Sequence, residues 1–255
     1  MQTVGKCKLC LSEKALLNES HIIPSFMYQG LFDKGHRLNK FAPAEYIAGN
    51  KQVSRPPTGE YEGGILCADC DNKIIGGYEA YARKALYGNI EEYSSGLPES
   101  GNFRTSEGVE FTHVKNLHYK DFKLFLLSIV WRASISSRPF FREVNLGPYE
   151  ETIRQMIISG DPKGEETFPI VIMTWLNDKS SSSDVVAQPG VNKIEKGIRY
   201  IFPIAGVTYV FHISPTSLNP DLRQFILSER NEAYFLHIPK GQALKLLMRY
   251  SGAKI

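Results

Sequence analysis

Hydrophobic positions recur at helical spacing in YKDFKLFLLSIVWRASISS, where Phe122, Phe125, Leu126, Ile129, Val130 and Ala133 make a broad apolar stripe. This pattern predicts a long buried helix at the core of the second half of the chain. A second stripe, Ile74, Ile75, Tyr78, Tyr81, Ala82 and Ala85, predicts an amphipathic helix from about Asp71 to Leu86. Gly76 and Gly77 interrupt it, each costing roughly 1 kcal/mol against alanine, which implies a kink or a close backbone neighbour.

Weaker patterns fill in the rest. Ser25 is placed to cap a helix carrying Phe26, Met27, Gly30 and Leu31, after a strand limited by Pro24. A helix is expected over Pro148 to Ser159, with Glu150 and Glu151 matching its positive start. FPIVIMTWL, IRYIFPI and VTYVFHIS are rich in β-branched and aromatic residues and read as strands, the last two joined by a hairpin turn at Ala205 and Gly206. RQFILSE suggests a short helix, AYFLHIP a strand and GQALKLLMRY a terminal helix.

Between these elements, His36 to Gly64 has no sustained periodicity and reads as a loop, and DKSSSSDVVAQPG as a connection between strands. Gly88 to Gly108, rich in Ser, Gly, Pro and Glu, suits a surface connection between two domains, residues 1–100 and 101–255, with the boundary near Gly101. Such a division is in keeping with 255 residues.

Composition narrows the class without naming a function. The chain is 42% hydrophobic and 22% charged, and no segment approaches the roughly 18 uninterrupted apolar residues of a membrane helix. A net charge of +3 permits nucleic-acid contact but falls short of a dedicated binder's signature. MQTVGKCKLC lacks the apolar run and cleavage site of a signal peptide, so the expected setting is a reducing cytoplasm with unpaired thiols.

The clearest chemistry lies in the cysteines. Cys7, Cys10, Cys67 and Cys70 form two CxxC pairs, and two intervening residues let both sulfurs of a pair converge on one metal. Four soft thiolates predict one structural Zn2+. A closed four-sulfur site leaves no open coordination position, so catalysis would need another centre.

The first pair precedes SHIIP, and the second runs into a helix as CADCDNKIIGGYE. Over Cys7 to about Glu79 this order resembles the cysteine-bearing branch of the HNH, or His-Me finger, endonucleases. It is also similar to bacterial proteins with SHIIP and a later CxxC-acidic helix, some associated with phage defence. The resemblance implies a zinc-bound ββα-metal, treble-clef-like module; with the helices and strands read above for the second half, the expected chain is α+β, that module followed by a mixed helix and antiparallel-sheet domain that selects substrate or binds a partner protein. The resemblance also implies DNA as substrate.

By that resemblance His21 is the general base that activates water for attack on a phosphodiester, and a hydrogen bond from its ring to a backbone carbonyl would orient it. A packing role for His21 fits the same residues. Mg2+ or Mn2+ would neutralise charge on the phosphate, held by Asp71 or Asn72. Glu79 is a secondary candidate, or an exposed helix carboxylate; two helical turns, roughly 12 Å, separate it from Asp71, too far to chelate one ion together. His36, Arg37, Lys40, Lys51 and Arg55 offer positive charge to phosphates, or are solvated.

Three positions depart from the family pattern. Ser20 stands where an aspartate often precedes the histidine, Ile75 stands at a ligand position one helical turn on, and the usual asparagine before the second cysteine pair has no counterpart. These departures keep open a zinc-stabilised module that binds nucleic acid or protein without cleaving. Trp131 and Arg132 read as part of a packed helix, and His113, His118, His212 and His237 lack metal-ligand spacing.

Overall fold

The computed structural model describes residues 3–41, 58–88, 98–179, 183–194, 197–213, 218 and 220–250. They form an α+β fold. β1 (Val4–Lys6) and β2 (Glu13–Ala15) make an antiparallel hairpin around the first CxxC, with Leu11 left-handed at φ 62°. β3 (Ser20–His21) pairs antiparallel with β5 (Tyr61–Glu62), placing His21 opposite Tyr61.

Where an α-helix was expected after Pro24, Ser25–Tyr28 form one turn of 3-10 helix. Gly30, at φ 80°, stops it within two residues. The loop expected from His36 to Gly64 contains β4 (Lys40–Phe41) as well as β5.

Asp69–Ile75 wind as a π-helical turn that runs directly into α1 (Gly76–Tyr87). The Gly76 N–H donates to the Asp71 and Lys73 carbonyls. A Cβ on Gly76 would sit 3.2 Å from the Asp71 oxygen, so this glycine permits the close backbone approach that the sequence implied; Gly77 meets open space.

β6 (Glu99–Arg104) lies inside the stretch read as an interdomain connection and forms a hairpin with β7 (Glu110–Lys115), just beyond it. Gly101, the expected boundary, lies in the middle of β6. Neither strand shows clean apolar alternation, because long-range pairing of β7 with β13 (Ala233–His237) sets its register.

α2 (Tyr119–Ile135) is the long helix expected, buried at every position from Phe122 to Ala133. α3 (Tyr149–Ser159) starts just after Pro148 and ends at Gly160, φ 69°, the left-handed cap that glycine favours. α2 packs against both α1 and α3.

The remaining strands are β8 (Ile170–Thr174), β9 (Val186–Ala187), β10 (Gly190–Ile194), β11 (Gly197–Ile204) and β12 (Val207–His212). They join one sheet in the order β4-β9-β11-β12-β8-β13-β7-β6, with β10 also on β11. Ala205 and Gly206, at φ 54° and 78°, make the expected hairpin turn.

The sheet is mixed, where an antiparallel one was expected: β13 runs parallel to β8, and β4 parallel to β9. Parallel neighbours need crossover connections, and Leu218, Phe225 and Ile226 cover the face opposite α2 before the chain reaches β13. The short helix expected at RQFILSE is instead one turn, α4 (Pro220–Arg223), followed by bridges from Ile226 to Val171 and Ser228 to Glu232. α5 (Ala243–Tyr250) is the terminal helix.

Burial on both faces explains the apolar runs. Ile170, Ile172, Phe202, Tyr209 and Phe211 join the cluster around α2, while Val171, Ile201 and Val210 face the other side. The α2 cluster also takes in Cys7, Leu9, Ile75 and Ala82, so one core runs from the cysteine hairpin through to the sheet.

Candidate metal centre and histidine site

The β1–β2 hairpin brings Cys7 and Cys10 beside Cys67 and Cys70, which lie at the start of the π-helical turn. All four sulfur atoms lie within 4.8 Å of one another, and Cys10 Sγ is 4.0 Å from Cys67 Sγ. Sulfurs bound about 2.3 Å from a tetrahedral zinc are about 3.8 Å apart, so the donor set fits that ion. Both turns are tight: Leu11 N–H donates to the Cys7 carbonyl at 2.9 Å, and Asp71 N–H to the Cys67 carbonyl at 3.0 Å. The Cys67 N–H donates to Cys7 Sγ at 3.4 Å.

Burial pushes the Cys7 and Cys70 thiols above the ordinary thiol range. Burial acts the same way on Cys10, but hydrogen bonds at Ser12 outweigh it and hold that thiol at about 6. Arg154 on α3 forks onto Glu151, at 2.7 Å through both Nε and Nη2, while Nη1 donates to the Leu9 carbonyl. Across the cluster, Asp69 pairs with Lys73 at 2.7 Å and Lys14 at 3.0 Å, and those contacts hold its carboxyl at about 2.

A second group of polar residues forms where β3, the π-helical turn, α1 and α2 meet. Arg132 is 1% exposed. Its Nη1 donates to the His21 carbonyl at 2.5 Å, and its Nη2 lies 2.7 Å from Glu79 Oε1. Its own helix holds the guanidinium from behind, through Nε to the Ser128 carbonyl at 3.1 Å and Nη2 to Ser128 Oγ at 3.2 Å.

Asp71 belongs to the same group. Burial raises its carboxyl, the Glu79 charge adds to that, and Arg132, Ser20 and His21 oppose it. Ser20 Oγ is buried beside this carboxylate without a well-directed protein partner.

The structure thus brings together His21, Asp71 and Glu79, and leaves Asn72 exposed outside the group. The carbonyl expected to orient the His21 ring has no counterpart among the described residues; it is the backbone carbonyl of His21 that is held, by Arg132. The ring is half-buried, with its centroid 6.2 Å from that of Tyr61. Among the described residues, the four cysteines are the one group of three or more His, Cys, Asp or Glu side chains whose donor atoms lie close enough to share a single ion.

Of the loop cations, Lys40 pairs with Glu60 and sits 4.4 Å over the Phe140 ring, so it is engaged within the protein. His36 stacks on Phe32, Arg37 is exposed, and Lys51 and Arg55 lie outside the described residues.

Arg132, expected from the sequence only as part of a packed helix, is also the residue that joins His21 to Glu79. The signal was a charge inside a helix whose apolar residues leave no solvent face, since a buried arginine requires a partner.

Comparison with protein-family models, curated proteins and solved structures finds no match to this chain. No described helix is long and apolar enough to cross a membrane.

Proposed function

We propose that the chain is a metal-dependent HNH-like endonuclease that hydrolyses DNA phosphodiester bonds, with a structural zinc on Cys7, Cys10, Cys67 and Cys70. The observation that carries this reading is the meeting of His21, on a strand after the first cysteine pair, with Asp71, the residue directly after the second. The cysteine cluster ties both segments to one scaffold.

In this reading neutral His21 accepts one proton from the attacking water. Asp71 is the residue that would hold Mg2+ or Mn2+, together with waters and a substrate phosphate, as suits an ion that retains much of its hydration. The cation would supply charge neutralisation at the phosphate. Glu79, engaged by Arg132, serves the site by balancing charge.

Nicking of supercoiled plasmid tests the reading, with Mg2+, Mn2+ or excess chelator, using wild type and His21→Ala. The expected result is metal-dependent nicking that falls about 100- to 10,000-fold on substitution. Metal-dependent nicking unchanged by His21→Ala overturns the assignment of the base.

Arg132 favours one second reading. Its guanidinium already supplies positive charge beside Asp71 and Glu79, as a catalytic cation would, which suits a zinc-stabilised module that binds without cleaving. Binding of DNA with no nicking under any of those metal conditions is the outcome this reading expects.

A further inference from the structure

We propose that Arg132 is the positioning residue of the histidine site, fixing His21 against the carboxylate-bearing start of α1 through a single two-pronged guanidinium. The inference deepens the nuclease reading and rests on His21 being its base.

Three elements far apart in sequence meet at this side chain. Arg132 belongs to α2, His21 to β3 and Glu79 to α1, and one guanidinium contacts both partners, at 2.5 Å and 2.7 Å. Ser128, one helical turn back, takes Nε and one Nη2 donor, which restrains the guanidinium from its own helix. Ser128 is itself held, with Oγ donating to the Phe125 carbonyl at 2.7 Å. The orientation of His21 is therefore referred to α2, buried at every position from Phe122 to Ala133.

Burial rules out direct contact with a substrate. At 1% exposure Arg132 reaches no solvent-borne phosphate, so its effect on chemistry passes through the residues it holds. Packing alone does not account for it either. Apolar residues of similar volume often replace a buried ion pair without loss of stability, and Val130, Trp131 and Ala133, which flank Arg132 in the helix, are apolar and buried. What an apolar residue would lack is the link from α2 to the His21 carbonyl and to Glu79.

A lysine cannot substitute for this geometry. Its ammonium is a point charge on a flexible stem, whereas the planar guanidinium keeps a hydrogen bond to the His21 carbonyl and an ion pair with Glu79 at a set separation. The charge would be kept and the spacing lost.

The test uses full-length zinc-loaded protein as wild type, Arg132→Met, Arg132→Lys and His21→Ala, read by plasmid-nicking kinetics and by amide hydrogen exchange. Both Arg132 variants are expected to lower kcat about 100-fold, as a misplaced catalytic group does, with KM little changed. Full recovery of kcat in Arg132→Lys overturns the proposal, because charge alone would then suffice.

In the exchange arm, the Ile22 amide, which donates to the Glu60 carbonyl at 2.9 Å beside His21, is expected to lose protection in Arg132→Met. The Lys8 and Leu17 amides, bonded to Ile65 and Leu66 within the cysteine module, are expected to keep theirs. Equal loss at all three sites marks Arg132 as a general stabiliser and overturns the proposal, as does an unchanged Ile22. Should wild type cut no DNA, the nuclease reading fails, and the exchange arm decides the Arg132 inference by itself.

Discussion

Arg154 on α3 donates to the carbonyl oxygen of Leu9, the residue between Cys7 and Cys10 that precedes the second sulfur. Bidentate pairing with Glu151 aims the guanidinium, so a helix from the second half of the chain clamps the cysteine turn. Arg154→Ala leaves a buried carbonyl without its donor and is expected to destabilise by about 1–3 kcal/mol. Faster zinc transfer to a colorimetric chelator should accompany the lower melting temperature. A transfer rate equal to wild type would show that the clamp does not guard the metal.

The cysteine cluster predicts one zinc per chain, measurable by elemental analysis. Cys67→Ser is expected to abolish that stoichiometry. Zinc sites of this kind contribute about 10–16 kcal/mol of binding energy that appears as folding energy. Chelation of wild type should therefore expose the cysteine hairpin to proteolysis, and a protease pattern that chelator leaves unaltered would count against a structural metal.

Glu62, next to the residue facing His21, predicts an acid limb in stability. Burial works to raise its carboxyl, but donation from Ser136 and Ser137 outweighs burial and holds it below the usual range. A carboxyl lowered by folding contributes stability above its unfolded value and loses it as pH falls through its folded one. Denaturant midpoints of wild type should drop through the acid range, and Glu62→Gln should flatten that drop. Parallel curves for the two proteins would remove Glu62 from the account.

Lys123 predicts a slope of the same sign on the alkaline side. Burial lowers its ammonium from 10.5 to about 7, while Tyr119 Oη and the Gly164 and Thr167 carbonyls accept from Nζ at 2.7–2.8 Å. Between those two values the unfolded chain binds more protons than the folded one, so stability rises with pH across the window. Lys123→Met should be less stable, because two carbonyls lose a donor, and should lose this rise. A persistent rise in the variant would assign the slope to another group.

Much of this structure is readable locally. The stripe from Phe122 to Ala133 is α2, Ala205 and Gly206 are the turn between β11 and β12, and Gly160 caps α3 as a left-handed glycine does. Spacing likewise brought four cysteines to one point. These features are set by a few neighbouring residues, through side-chain periodicity or backbone conformation, and such signals survive without knowledge of the rest of the chain.

What escaped the sequence depends on distant partners. β6 and β7 have weak patterns because β13, more than 100 residues later, supplies the pairing for β7, and β13 is parallel to β8 because of the path taken between them. The π-helical turn at Asp69–Ile75 looks like ordinary helix in its residues; only the neighbour-dependent backbone path turns its hydrogen bonds to Asp71 and Lys73. The histidine site is the clearest case. His21, Asp71 and Glu79 carry their chemistry in their side chains, so the sequence could nominate them, whereas Arg132 acquires its role through contacts 111 residues away in the chain. Residue type determines what a group can do, and tertiary packing decides which groups meet, because burial makes a charged side chain seek its partner wherever the fold delivers one.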